Sequence, residues 1–162
     1  MRSPLNSPVE VGVRVLMILT EVYPEHLDVN RLVLLDHSVL HSADLGGPES
    51  LHPALPIRAG ELGVKRTVIE QGLQVMLRAG LVEMSASESG IRFQASDSAY
   101  SFVSILGAEH ARLLRDRTRW VVQHFGDLSE TTLRAQMRTI FTGWSEEFDT
   151  AESRIRDGDS TR

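Results

Sequence analysis

Residues 56–97 limit the fold of this chain more than any other stretch, because their punctuation leaves few arrangements. Pro56 can open a short helix over Ile57–Leu62, where its missing N–H costs nothing. Gly63 then supplies a turn with unrestricted φ. A longer helix is expected from about Lys65 to Ala79, with Val68, Ile69, Leu73, Met76 and Leu77 on its buried side. Gly80 stands where a left-handed residue ends a helix, and Leu81 can make the accompanying apolar contact. Two β-like segments follow, Leu81–Met84 and Ile91–Ala95, joined by the small and polar residues Ser85–Gly90, with Ile91 and Phe93 on one face. Short helix, glycine turn, longer helix and hairpin is the order of a winged helix-turn-helix.

The flanks add helices on both sides. Residues 1–8 read as a flexible lead. Val11, Val15, Ile18, Leu19 and Val22 then keep helical spacing up to Pro24. A second helix is expected from Asp28 as N-cap, burying Leu32, Leu35 and Val39. Residues 43–56 carry two Gly and three Pro and read as a loop, with Leu45, Leu51 and Leu55 packing it against something. Ser96, Asp97 or Ser98 can cap a helix to about Phe125 that uses Phe102, Leu106, Leu113, Leu114, Trp120 and Val121, with a bend or break at Gly107. Ser129 caps a last helix whose Leu133, Met137, Ile140, Phe141, Trp144 and Phe148 form one apolar stripe. Residues 150–162 are polar and aperiodic and read as a disordered tail. The expected architecture is therefore mainly α: one winged-helix domain over 9–149 with a small hairpin wing and extra N- and C-terminal helices.

Composition narrows the function classes. No cysteine occurs in the 162 residues, which excludes disulfides, zinc fingers and thiol catalysis. No long apolar run or signal-peptide pattern is visible, so the expected location is cytoplasmic. Net charge is −5, from 17 Lys+Arg against 22 Asp+Glu, which argues against a dedicated DNA binder without forbidding a local basic face.

Three groups of residues suggest chemistry. Asp36, His37, His41, Asp44 and His52 lie close in sequence, and His37 with His41 at i,i+4 could share a helix face toward a metal. The zinc-hydrolase Glu is missing and no spacing fixes a third ligand, so caps and loop hydrogen bonds are the better reading. No metal or cofactor is expected. Gly46-Gly47-Pro48 lacks the ending and the preceding strand of a phosphate loop, and no serine has a nucleophile-elbow setting. Lys65, Arg66, Thr67, Glu70, Gln71, Gln74 and Arg78 are expected on the exposed side of the longer helix. In a DNA reader Lys65, Arg66 and Thr67 would enter the major groove, and Arg112, Arg115 and Arg119 on one helix face could add phosphate contacts, with Arg117 pointing elsewhere. The wing tip Ser85-Ala86-Ser87-Glu88-Ser89-Gly90 carries no cation, however, while phosphate contacts supply most DNA affinity. Protein binding is the favoured reading.

The segments Leu-Leu-Asp-His-Ser-Val-Leu-His-Ser-Ala-Asp-Leu-Gly-Gly-Pro-Glu-Ser-Leu-His-Pro (34–53), Arg-Ala-Gly-Glu-Leu-Gly-Val-Lys-Arg (58–66) and Gly-Leu-Val-Glu (80–83) resemble the small middle component of bacterial ABC-three-component systems, which include Lamassu-type defence loci. The resemblance implies a non-catalytic adaptor between a coiled-coil ATPase of the structural-maintenance-of-chromosomes kind and an effector, often a nuclease, in anti-phage or anti-plasmid immunity. Two contact surfaces are expected: the loop 42–58 with His41, Asp44, His52 and Arg58, and the helix face carrying Arg66, Glu70, Gln74 and Arg78. The alternatives are a DNA-binding winged-helix regulator and a metal-dependent enzyme centred on His37, His41 and His52.

Overall fold

The computed structural model describes residues 7–51, 61–129, 131–133 and 135, with Asp44 and residues 61–63 described by backbone alone. Five α-helices and one hairpin follow in the order α1 (Pro8–Glu21), α2 (Val29–Leu40), α3 (Glu61–Arg78), β1 (Val82–Ser87), β2 (Gly90–Ala95), α4 (Ala99–Ser104) and α5 (Glu109–Phe125). The chain is thus mainly helical with a two-stranded antiparallel sheet. None of the described helices is long and apolar enough to cross a membrane.

Capping chemistry sets the helix ends. Ser7 accepts a hydrogen bond from Glu10 N–H at 3.3 Å, with Pro8 in the first turn, so α1 takes in part of the segment expected to be a flexible lead. Asp28 accepts from Arg31 N–H at 2.8 Å and opens α2 as expected. At the end of α3, Leu81 N–H donates to Met76 O and Gly80 N–H to Leu77 O, with Gly80 at φ 73°. This is the paired bonding that lets a left-handed glycine close a helix.

The core lies where α1, α2 and α3 meet, closed by α5 and the hairpin. Val11, Val15, Ile18 and Leu19 of α1 bury against Leu32, Leu35 and Val39 of α2 and Ile69, Leu73 and Met76 of α3. α1 and α3 approach so closely that a Cβ built on Gly72 would lie 2.7 Å from Gly12 N and 2.9 Å from its Cα. Only a glycine pair allows that separation.

Several boundaries differ from the sequence reading. The turn expected at Gly63 is absent, because α3 runs through that residue from Glu61. A glycine inside a helix costs about 1 kcal/mol relative to alanine, and burial of Ile69, Leu73 and Met76 further along outweighs it. The remaining part of the expected short helix, 57–60, lies outside the described residues. The hairpin is longer and its turn tighter than expected: Ser87 pairs with Gly90. Neither Glu88 nor Ser89 has positive φ, and Gly90 at φ 110° supplies the reversal. The 96–125 helix breaks as anticipated around Gly107, giving α4 and α5. Leu113, expected inside, is 37% exposed, and Ile91, on the same face as the buried Phe93, is 53% exposed. Ser129 caps a helical turn by accepting from Thr132 N–H at 3.1 Å, and Leu133 is buried. Met137 and the rest of the aromatic stripe lie outside the described residues, as does the 150–162 tail.

In the hairpin register, Val82 faces Ala95, Met84 faces Phe93 and Ala86 faces Ile91. Facing residues share a side of the sheet, so all six apolar side chains line one face and Glu83, Ser85, Arg92 and Gln94 line the other. Leu27, between α1 and α2, adds an isolated antiparallel bridge to Phe93 on the far edge of β2.

Candidate functional site

The apolar face of the hairpin overhangs the core. Its root is covered by the molecule, but toward the tip Met84 and Ile91 are about half exposed. Between this overhang, α3 and the start of α2 lies a groove of about 480 Å³. Leu73, Leu77 and Phe93 form its floor, and Met84 and Ile91 its outer wall. Arg66, Glu70 and Gln74 rise from α3 on one side, with Asp28 and Asn30 on the other. Arg66 bridges the two sides, donating to Asn30 Oδ1 and pairing with Glu70 at 3.3 Å. An apolar floor with a rim of mixed charge suits a protein surface, since each rim group can find an opposite partner while the floor excludes water. Arg66, Glu70 and Gln74, expected to share a contact face, are brought together here. Arg78 and Thr67 are exposed on α3 but do not line the groove.

Lys65 was expected to point outward with them and does the opposite. Its Nζ lies 2.8 Å from Asp36 Oδ2, and its side chain is 20% exposed. Arg14 completes the cluster from α1, donating from Nε to Oδ1 at 2.9 Å and from Nη2 to Oδ2 at 3.2 Å. Asp36 is fully buried and Arg14 is 3% exposed. One carboxylate thus ties α1, α2 and α3 together. Burial alone would raise the carboxyl, but the Lys65 and Arg14 cations and their hydrogen bonds hold it well below the usual carboxylate range. Beside it, His37 is held well below its ordinary value, first by burial and then by Lys65 and His41, against an opposing pull from Asp36. Asp36 is therefore a locked anion and His37 a neutral ring, and neither is poised for proton transfer near neutral pH.

The loop after α2 folds down onto the core. Ser42–Leu45 form one 3-10 turn. Ser42 Oγ donates to Pro48 O, Ala43 N–H donates to Ser50 Oγ, and Leu51 N–H returns to Leu40 O. Gly47 lies on the Trp120 ring, where a Cβ would come within 2.5 Å, and Arg117 Nε donates to Glu49 O at 2.9 Å. Arg117 does point away from Arg115, which binds Val103 O, and from Arg119, which lies 3.8 Å from Glu21; Arg112 is exposed. The His41 ring lies against His37 with centroids 4.5 Å apart. His52 and Arg58 lie outside the described residues, as does the side chain of Asp44. Among the described residues, no group of three or more His, Cys, Asp or Glu could hold a metal ion.

The buried ionic cluster was missed in the sequence, although a signal was present. Arg14 falls on the same helical face as Val11, Val15 and Ile18, and Asp36 on that of Leu32, Val39 and Leu40. A charge of each sign inside an apolar stripe is the pattern of a buried pair.

Over residues 4–147 the sequence matches the family model described as ABC-three component (ABC-3C) system Middle Component 2. No curated protein and no solved structure matches the chain.

Proposed function

Since this chain belongs to the Middle Component 2 family of ABC-three component systems, we propose that it is a non-catalytic adaptor that docks on the other components of its system through the groove between α3 and the hairpin. The partners in this reading are an SMC-like coiled-coil ATPase and an effector, often a nuclease, within an anti-phage or anti-plasmid defence complex. The protein works in the cytoplasm, bridging the two and helping to hold the effector inactive until foreign DNA is sensed.

The observation that carries this reading is the groove itself: Met84 and Ile91 left half exposed above an apolar floor, with Arg66, Glu70 and Gln74 along the rim. Chain order supports a winged-helix reading of the scaffold. Helix, bridging residue Leu27, two helices and a hairpin follow in the sequence of such a domain. In this assignment α3 remains the recognition helix, and α2 takes the role first given to 57–62. The loop surface with His41, Asp44, His52 and Arg58 becomes secondary, because its described part is packed on Trp120.

Binding DNA through α3 is the rival reading, and Lys65 weakens it, being held by Asp36 and not offered to phosphate. Co-expression with the neighbouring gene products tests the proposal. Native chain should co-purify with the ATPase component, and Glu70→Arg with Gln74→Arg should reduce capture at least ten-fold while leaving the fold intact. A monomeric chain that captures neither product would overturn the adaptor reading. A duplex shift that collapses with added salt would favour the regulator instead.

A further inference from the structure

Another cavity, of about 350 Å³, lies between the end of α1, α4 and the middle of α5, and it shares no residue with the groove. Its inner wall is Met17, Val103 and Thr118, all buried. Arg115 and Arg119, one turn apart on α5, and Glu21 of α1 supply its charge. Tyr100 of α4 lines it while remaining 72% exposed.

Arg115 is partly buried, and its Nη1 donates to Val103 O at 2.7 Å, which fixes the guanidinium against α4. Among the described residues no carboxylate pairs with it: Asp116 is taken by Arg117 at 2.7 Å, and Glu21 lies against Arg119. That last contact is long, at 3.8 Å, and both its ends are partly exposed, so it yields readily to an incoming anion. The hydroxyls of the wall have the opposite character. Thr20 and Thr118 donate to Leu16 O and Leu114 O at 2.7 Å, and Ser104 donates to Ser101 O at 3.0 Å. Each has spent its proton on its own helix, and only oxygen lone pairs remain for a guest.

The cavity therefore offers two guanidiniums to an anion, and beside them acceptors for hydroxyl or N–H donors. We propose that it binds a nucleoside monophosphate, with the phosphate on Arg115 and Arg119, the sugar hydroxyls on Glu21 and the neighbouring oxygens, and the base against Tyr100. Two arginine forks match a dianionic phosphate better than a single carboxylate. A carboxylate beside them is a natural acceptor for ribose hydroxyls. The volume falls at the small end of the range for small-molecule sites, about 300–1,000 Å³. A nucleic-acid strand is the poorer fit, because Glu21 and a net charge of −5 oppose a polyanion. This inference does not rest on the adaptor reading and survives its failure.

Calorimetric titration of the full chain with adenosine, guanosine, cytidine and uridine monophosphates reads the binding directly. One or more of them should bind, and the matching nucleoside and inorganic phosphate should each bind at least about ten-fold more weakly. Arg119→Gln alters a side chain that is 61% exposed, so thermal stability should hold while affinity falls about ten-fold or more. Tyr100→Ala should weaken binding about five-fold or more, the loss of one stacked base. Glu70→Arg with Gln74→Arg, on the groove rim, should leave it unchanged. No binding by any of the four at millimolar concentration would overturn the proposal. So would inorganic phosphate binding as tightly as the nucleotide, a single-stranded oligonucleotide binding more tightly, or an affinity unaffected by Arg119→Gln.

Discussion

Replacing Asp36 by asparagine should expose how much of this fold hangs on one carboxylate. The substitution keeps the shape of the side chain and removes its charge. Lys65 can swing outward, since its side chain is already 20% exposed. Arg14 cannot, because it is 3% exposed and sits inside α1's apolar face. Arg14 then loses the charge that faces its two bonds to Asp36, and breaking a buried ion pair by removing one partner costs about 3–5 kcal/mol. For a chain of this size that lowers the melting temperature by about 10 °C. The double variant Arg14→Met with Asp36→Leu should recover most of the loss, because no buried charge is then stranded and Lys65 can keep its ammonium in water. Acid unfolding adds a signature. The folded carboxyl is depressed, so the unfolded chain binds that proton first. The stabilisation is complete above about pH 5 and is lost as pH falls through about 4 toward the folded value. His37, also depressed, begins to favour unfolding already below about pH 6.5, where the unfolded imidazole charges. Asp36→Asn should flatten the lower part of this acid limb and leave the upper part. Differential scanning fluorimetry across pH measures both. A melting temperature within about 2 °C of native, or an unchanged acid limb, would refute the assignment of this cluster as the tie between the three helices.

Gly72→Ala should destabilise by about 1–3 kcal/mol: the added methyl meets Gly12 N and Cα and Pro8 O, all backbone, so no rotamer change relieves it. Chemical denaturation reads the loss, and an unaffected midpoint would mean that α1 and α3 are not in such close contact. Lys65→Glu and Arg66→Glu should part company. The first sets a carboxylate against Asp36 and lowers the melting temperature by several degrees, while the second removes exposed bonds to Asn30 and Glu70 on the groove rim and leaves it within about 1 °C. Equal effects would contradict the inward placement of Lys65.

What could be read from the chain were features set by near neighbours. The apolar spacing of α1 and α2, the Asp28 cap, the Gly80 terminus and the alternation of the hairpin are local patterns, and each appears in the structure. Where reading went wrong, the decisive partner was distant. Gly63 looks like a breaker locally, and only the burial of Ile69 and Leu73 against α1 and α2 keeps the helix continuous through it. Lys65 looks like a surface cation beside Arg66, and only Asp36, on the preceding helix, turns it inward. That the loop 43–51 packs down was legible from Leu45 and Leu51, which lie partly buried against the core, but its contact with Trp120, some seventy residues on, was not. The groove was half legible for the same reason. Arg66, Glu70 and Gln74 could be assigned to one helix face from spacing, but the overhang of Met84 and Ile91 depends on how far the hairpin extends past α3.

Hydrogen–deuterium exchange on the chain, alone and mixed with the other components of its own system, reads directly whether the groove is the docking surface. Slowed exchange is expected over residues 66–77 of α3 and 84–93 of the hairpin, with little change in α5. Protection confined to 41–51 and α5, leaving α3 and the hairpin exchanging as in the free chain, would contradict it.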